Sequence, residues 1–285
     1  MIAITGATGT VGRYLLDELA ARRVRPRALV RDARGAAAVA GQADPVLADF
    51  EQPETLRPAL EGVRTLFLLT PLHPRQGALQ QRVIDAAVRA GVSAVVKVSA
   101  LGIGTATGVI HEEHEVAEHA LEQSGLSHVM LRCNGFMQNS RQWLPVIARF
   151  GAIRMPVGDA RVSWIDARDI AAVAAEVLTG EIQGKARYDL TGPAALSYPE
   201  VARILSDAVG VPVGFEDVPE EEARKGMLAS GAPEWAVRAR LQLYATYRQG
   251  LAEEVSPAVA ELTGREARDF AGYAPALAAP LARLS

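Results

Sequence analysis

Residues 1–20 constrain the fold of this chain more than any other segment. Met1-Ile2-Ala3-Ile4-Thr5 is a short apolar, β-branched run. Gly6-Ala7-Thr8-Gly9-Thr10-Val11-Gly12 follows at once, then the helix-like Arg13-Tyr14-Leu15-Leu16-Asp17-Glu18-Leu19-Ala20. A strand, a glycine-rich turn and a helix in that order suit a nucleotide pyrophosphate. The glycines turn sharply and let phosphates approach the backbone, and the helix N-terminus offers unpaired N–H groups and partial positive charge. The spacing is Gly-x-x-Gly-x-x-Gly rather than Gly-x-Gly-x-x-Gly, but the flanking strand and helix are the context such a motif requires. A tight strand-to-helix turn without a ligand is the alternative.

The alternation continues downstream. Strands are expected at 27–30, 45–48, 65–69, 94–98 and 128–131, with helices at 13–23, 53–61, 76–90 and 111–124. Leu79, Val83, Ala86 and Ala87 show the helical spacing of three and four. This rhythm predicts an α/β fold, a Rossmann-type doubly wound parallel sheet. Its NAD(P)-binding domain covers 1–150, with 160–190 returning to the sheet. After residue 135 the pattern loosens. Short strands are expected near 152–155, 161–165 and 186–190, a helix at 167–179 behind Asp166, and a helix at 198–209 capped by Ser197. Further helices are expected on both sides of Pro233 within 219–250, and at 256–263. Residues 191–285 are therefore expected to form a small, discontinuous, mostly helical substrate-binding region over the carboxyl ends of the strands, where open α/β sheets bind ligands.

Composition excludes several classes. With 285 residues, 49% of them hydrophobic, the chain can bury a large core, and a net charge of −3 gives no basic surface for nucleic acid. No apolar stretch is long enough to span a bilayer. The first strand is expected to begin at Met1, so no signal peptide is expected before it. Cys133 is the one cysteine, too few for a disulfide framework or a cysteine-rich metal site. The expectation is a cytoplasmic protein, monomer or homodimer, acting on a small molecule.

Arg31 stands where NAD-binding folds end their second strand with an acidic residue. A guanidinium suits a 2′-phosphate, which favours NADP(H) over NAD(H). A solvated loop arginine is the alternative, and Asp32 could still serve NAD. Asp49 and Phe50 could flank an adenine ring, although Asp49 is equally a turn residue.

Taken together, these segments resemble the atypical short-chain dehydrogenases, specifically the NmrA-like branch. That branch includes NADPH:quinone reductases, triphenylmethane dye reductases, isoflavone-reductase relatives and regulators that sense NADP without catalysis. The resemblance rests on Thr5–Gly12, Leu29-Val30-Arg31, Val96–Ala100, Ser124-Gly125-Leu126, Leu131-Arg132, Gly135–Asn139, Val162–Ala171 and Leu262-Thr263-Gly264. It implies that Gly6, Thr8, Gly9, Thr10, Val11 and Gly12 wrap the pyrophosphate and that Arg31 meets the 2′-phosphate. Leu69, Thr70 and Pro71 would border the ribose, Ser99 and Ala100 would lie near the nicotinamide, and Cys133 and Phe136 would back its ring.

Ordinary short-chain dehydrogenases carry Tyr-x-x-x-Lys on one helix, where the tyrosine donates a proton and the lysine lowers its pKa. The corresponding helix here reads His111-Glu112-Glu113-His114-Glu115-Val116-Ala117-Glu118-His119, without that pair. Either hydride transfer needs no strong protein acid, or His114 supplies the polar function. His114 and Glu118 are four apart and so could interact on one helical face; an ordinary solvated face is the alternative. The two histidines of His111-Glu112-Glu113-His114 are three apart, which is not the zinc-helix spacing, and no metal site is expected. Ser99 is a candidate donor to a substrate carbonyl or a strand-end turn residue, and Asn139 a polar wall or a helix-entry residue. Lys97, inside a strand, is expected to point away from the site, His119 to lie on the surface, and Trp164 to pack in a core.

The leading expectation is an NADPH-dependent reductase that transfers hydride to a small electrophilic quinone, enone or imine-like acceptor. A non-catalytic NADP(H) sensor, or a biosynthetic enzyme performing ketoreduction, isomerisation or cyclisation on the same fold, are the alternatives.

Overall fold

The computed structural model of the chain describes residues 1–283. Seven strands form one parallel sheet: β1 (Ile2–Ile4), β2 (Arg27–Val30), β3 (Asp44–Leu47), β4 (Thr65–Leu68), β5 (Ala94–Ala100), β6 (Ser127–Cys133) and, after two short strands, β9 (Lys185–Leu190). Their order is β3-β2-β1-β4-β5-β6-β9. The order reverses between β1 and β4, which opens a crevice at the carboxyl edge. This is the doubly wound Rossmann architecture expected from the alternation.

Central strands read as unbroken apolar runs because both faces of a parallel sheet are covered. Helices α1 (Thr10–Ala21) and α7 (Ala167–Thr179) close one face around Ile4, Leu15, Phe67, Val96 and Ile170. Helices α3 (Leu56–Leu60), α4 (Gln76–Ala90) and α5 (Val109–Gln123) close the other around Leu56, Leu66, Val83, Val95 and Leu121. The short α2 (Ala33–Val39) joins β2 to β3.

Beyond β6 the chain builds a separate core of Trp164, Tyr198, Tyr247, Phe270, Tyr273 and smaller apolar residues. Its elements are α6 (Leu144–Phe150), β7 (Ala152–Met155), β8 (Arg161–Val162), β10 (Leu196–Ser197), α8 (Tyr198–Val209), β11 (Gly214–Asp217), α9 (Glu220–Ala229), α10 (Glu234–Arg248), α12 (Phe270–Tyr273) and α13 (Pro275–Ala282), while α11 (Ala258–Thr263) packs under β9 and α7. Strands β8 and β10 pair antiparallel and β7 and β11 parallel, outside the main sheet. No described helix is long and apolar enough to cross a membrane.

Local chemistry explains where the elements begin and end. Asp166 caps α7 by accepting from the Arg168 N–H at 2.8 Å, and Ser197 forms a capping box with Glu200 at the start of α8. Helices α9 and α10 flank Pro233 as the sequence indicates. The expected strand at 161–165 stops at Val162, because the Ser163 N–H turns to Ala252 O and the Ile165 N–H to Gly135 O. The expected helix at 53–61 divides into a 3₁₀ turn, Pro53–Thr55, followed by α3. Segments α2, α6, β11, α12 and α13 had no clear periodic signal.

One buried amide ties the second core to the sheet. Asn134, just past β6, donates from Nδ2 to Ser163 Oγ and Ala252 O, both at 2.8 Å, and accepts the Gly135 N–H at Oδ1 at 2.8 Å. Ser163 in turn donates to Glu254 O. Replacing Asn134 leaves buried groups without partners, each costing about 1–3 kcal/mol. Asn134→Ala should therefore lower unfolding stability by about 2–4 kcal/mol; a denaturant titration showing less than 1 kcal/mol would contradict the clip.

Candidate active site

The turn between β1 and α1 is shaped by what cannot fit in it. Gly6 has φ +66°, and a Cβ there would lie 2.9 Å from Leu69 O. A Cβ on Gly12 would meet Gly6 O at 2.1 Å. Thr5 accepts the Leu69 N–H at 2.8 Å, tying the turn to the end of β4. The first backbone bond of α1 runs from Arg13 N to Gly9 O, so the N–H groups of Thr10, Val11 and Gly12 have no helical partner. Thr8, Gly9 and Thr10 are exposed, whereas Val11 and Gly12 are buried. Bare backbone donors at a helix N-terminus, with no side chain over them, fit a pyrophosphate.

Arg31 is exposed beyond β2, without an ion pair among the described residues, while Asp32 caps α2 by accepting the Gly35 N–H at 2.7 Å. That occupies Asp32 in the helix start and leaves Arg31 free. Asp49 accepts the Glu51 N–H at 2.9 Å and so organises its own turn; Phe50 packs against the α3–α4 core.

The carboxyl ends of β4, β5 and β6 enclose a cleft of about 340 Å³. Leu69, Thr70, Pro71, Ser99, Ala100, Cys133, Phe136, His114 and Asn139 all line it. The glycine turn, Arg31, Asp49 and Phe50 do not. The buried Cys133 thiol donates to Leu131 O at 3.5 Å, and burial pushes its pKa well up.

Two expectations about the polar wall need correction. The first concerns Lys97. Side chains alternate along β5, so Val96 and Val98 join the α1–α7 core while Val95, Lys97 and Ser99 share the α4–α5 face. Lys97 is fully buried there, 3.0 Å from His114 Nδ1 and 3.1 Å from Val98 O. It points to the site's polar wall, not away from it. Burial lowers its pKa to about 7, against an opposing pull from Glu118. His114 is held well below its ordinary pKa by burial first and by Lys97 second. It is therefore a neutral imidazole whose Nδ1 accepts from Lys97, which leaves the ring proton on Nε2. The 3.3 Å contact between Nε2 and the Gln76 amide then requires the amide oxygen, not its nitrogen, on that side.

The second correction concerns Glu118. It does not orient His114; it grips Arg132 of β6 with bonds of 2.5 and 3.0 Å. A guanidinium fork outcompetes an imidazole for a carboxylate. Burial alone would raise the Glu118 pKa, but Arg132, with the nearby Ser99 hydroxyl, lowers it. Ser99 Oγ itself is buried, and its placement does not meet normal hydrogen-bond geometry with any described group. His111 also lines the cleft, with Nε2 3.2 Å from Leu101 O, and burial lowers its pKa. His119 is exposed, as expected.

A second cavity of about 360 Å³ adjoins the first and shares Leu72, Ile110, Asn139, Leu243 and Tyr247 with it. Its walls include the aromatic rings of Trp143, Trp164, Tyr198, Tyr244 and Tyr247. Trp164 packs edge-on against Trp143 at 5.6 Å and Tyr198 at 5.8 Å, so it is a core residue that also forms pocket wall. Trp164 Nε1 and the Tyr198 hydroxyl are buried without partners among the described residues. Sequence reading missed Gln76 and Asn134 as lining residues of the cleft, Lys97 as the partner of His114 behind it, and Arg240 as a lining residue of this pocket. Helix α10 carried a usable signal, since 240, 243, 244 and 247 fall on one face.

Known proteins are similar to this chain in sequence and fold. An NAD(P)H azoreductase of Xenophilus azovorans is 37% identical over 98% of both chains. A (4-alkanoyl-5-oxo-2,5-dihydrofuran-3-yl)methyl phosphate reductase of Streptomyces griseus is 36% identical over 95% of both. The solved structure of the NADPH-dependent quinone oxidoreductase QOR2 of Escherichia coli, complexed with NADPH, superposes with a TM-score of 0.89 at 28% identity, covering 97% of this chain and 99% of that one. The NmrA-like family model matches residues 1–274. With its glycine turn, seven-stranded sheet and carboxyl-edge cleft, the chain belongs to the NmrA-like family.

Proposed function

We propose that this chain is an NADPH-dependent reductase of a small, flat, electrophilic acceptor of the quinone, enone or imine-like kind, azo and dye compounds included. The observation that carries this reading is the junction of the two cavities. There the strand-end cleft, lined by Ser99, Ala100, Cys133 and Phe136, opens into an aromatic pocket across Asn139. The 37% identical azoreductase and the QOR2 fold support it.

In this reading Gly6 and Thr8 to Gly12 hold the pyrophosphate, and Arg31 meets the 2′-phosphate. Leu69, Thr70 and Pro71 border the ribose, while Cys133 and Phe136 back the nicotinamide. Bound NADPH supplies the hydride. The residues around it position the acceptor and handle the proton, and positioning provides most of the rate for an acceptor already electron-poor. Ser99 and Asn139 donate to the heteroatom on which negative charge develops. The acceptor's heteroatom takes the place of the 3.3 Å Gln76 contact at His114 Nε2; His114 releases its Nε2 proton to that atom and takes one at Nδ1 from the Lys97 ammonium, so the pair delivers one proton net. A lysine titrating near 7 is an able donor at neutral pH. Lys97 acts through His114 and is a positioning residue.

The first test is NADPH oxidation across quinones, enones, imines and azo or cationic dyes, with NADPH binding followed by its fluorescence. Turnover of an electron-poor acceptor is expected; tight binding with no turnover of any class would overturn the reductase reading. Arg31→Ala should weaken NADPH binding roughly tenfold to a hundredfold, from the about 1.5–3 kcal/mol of a charge-assisted bond, and leave NADH nearly unaffected. Equal losses for both nucleotides would refute the assignment of Arg31.

The Lys97 relay predicts a pH signature. Turnover of a proton-demanding enone should fall as pH rises through about 7, and Lys97→Met should flatten that limb. The stability effect has the opposite sign. Between about pH 7 and 10.5 the unfolded lysine holds a proton that the folded one does not, so stability rises with pH across this window. Below about pH 7 both states are protonated and the burial cost is borne in full. Lys97→Met should therefore remove this pH dependence, so that the variant gains stability relative to the parent on going from pH 9 to pH 6, while slowing the reaction. Denaturant midpoints at pH 6 and 9 for both forms would check this, and a stability difference between the two forms that does not change with pH would count against it.

A further inference from the structure

We propose that the acceptor carries an anionic group, such as a carboxylate, sulfonate or phosphate, which Arg240 binds at the aromatic pocket. This deepens the reductase reading and rests on it for the identity of the site. Among the described residues no aspartate or glutamate lines the two joined cavities, and the charged lining residues are Arg154 and Arg240. Arg154 is already neutralised, by Glu216 at 2.7 Å and Glu222 at 2.8 Å. Arg240 has neither an ion pair nor a hydrogen bond among the described residues, and the Tyr244 hydroxyl is the group that feels its charge. Yet it is half-buried, on the face of α10 that carries Leu243, Tyr244 and Tyr247 into the same wall.

A guanidinium partly withdrawn from water and given no acceptor loses hydration without compensation. Its planar fork matches a bidentate oxyanion. The neighbouring wall adds to this bias. The Trp164 and Tyr198 rings belong to it, with Trp164 Nε1 and the Tyr198 hydroxyl buried from solvent, and among the described residues no carboxylate lines it. The pocket therefore sets an unpaired positive charge beside an aromatic slot. A flat ring system with an anionic substituent satisfies both features at once, whereas a cationic ring system would meet Arg240 directly.

The test uses the full chain loaded with NADP⁺ and two probes of like shape, naphthalene-2-sulfonate and naphthalene-2-sulfonamide. Quenching of the fluorescence of Trp143 and Trp164, which line the pocket, reports binding. The sulfonate is expected to bind at least tenfold tighter than the sulfonamide. Arg240→Gln should reduce that preference to within about twofold, while Arg240→Lys, which keeps the charge but loses the fork, should fall between. Equal binding of the two probes by the parent protein, or equal losses of both in Arg240→Gln, would overturn the proposal, the latter assigning Arg240 to ring stacking. A kinetic arm separates this from the reductase reading. With 1,4-naphthoquinone-2-sulfonate and 2-methyl-1,4-naphthoquinone as acceptors, the charged-to-neutral ratio of kcat/KM should drop about tenfold in Arg240→Gln. A sulfonate preference in binding with no NADPH oxidation would keep the anion site and remove the reductase reading.

Discussion

Strand β5 is covered by helices on both faces, so a side chain at any of its positions must be accommodated by one helical layer or the other. Lys97 and Ser99 fall on the layer made by α4 and α5, and the consequences spread from there. A buried ammonium needs lone pairs, and it finds them on His114 and on the Val98 carbonyl. That fixes the imidazole tautomer, which in turn dictates how Gln76 must be turned. Glu118, one helical turn further on, is drawn off by Arg132, so the lysine has no close carboxylate of its own. The polar wall of the cleft is thus a chain of mutually determined choices rather than a set of independent residues.

The sheet and the nucleotide turn were legible because their causes are local. Glycine spacing, strand-to-helix alternation and a capping serine each follow from the backbone demands of a few neighbouring residues. The wall was not. The four-residue spacing of His114 and Glu118 is a real helical adjacency, but it says nothing about Arg132, which reaches Glu118 from another element. Lys97 was misjudged because a charged residue in an apolar strand usually escapes to water, and here the strand lies inside the sheet, paired on both sides. Asn134 gave no signal at all, since its partners, Ser163 and Ala252, lie 29 and 118 residues away.

The two halves of the site obey different rules. In the proposed reading the nucleotide end is built from backbone, with Gly6 and Gly12 confined to conformations and distances that a Cβ would spoil. The proposed acceptor end is built from side chains on α6, α8 and α10, held to the sheet through the Asn134 clip. Backbone sites tolerate little substitution, whereas a side-chain wall can be re-lined one residue at a time. One scaffold can therefore keep its nucleotide and exchange its acceptor, which accords with relatives named for azo compounds, a furan methyl phosphate and quinones.

Cys133 has a bearing on the durability of such an enzyme. Electron-poor acceptors that accept hydride also alkylate thiolates, and the cysteine of this chain lies on the wall of the cleft that would receive them. Burial keeps its sulfur protonated and turned towards Leu131 O. A protonated thiol is a poor nucleophile. The strand end can therefore use sulfur as soft packing behind a flat ring without the catalyst being consumed by its own substrate.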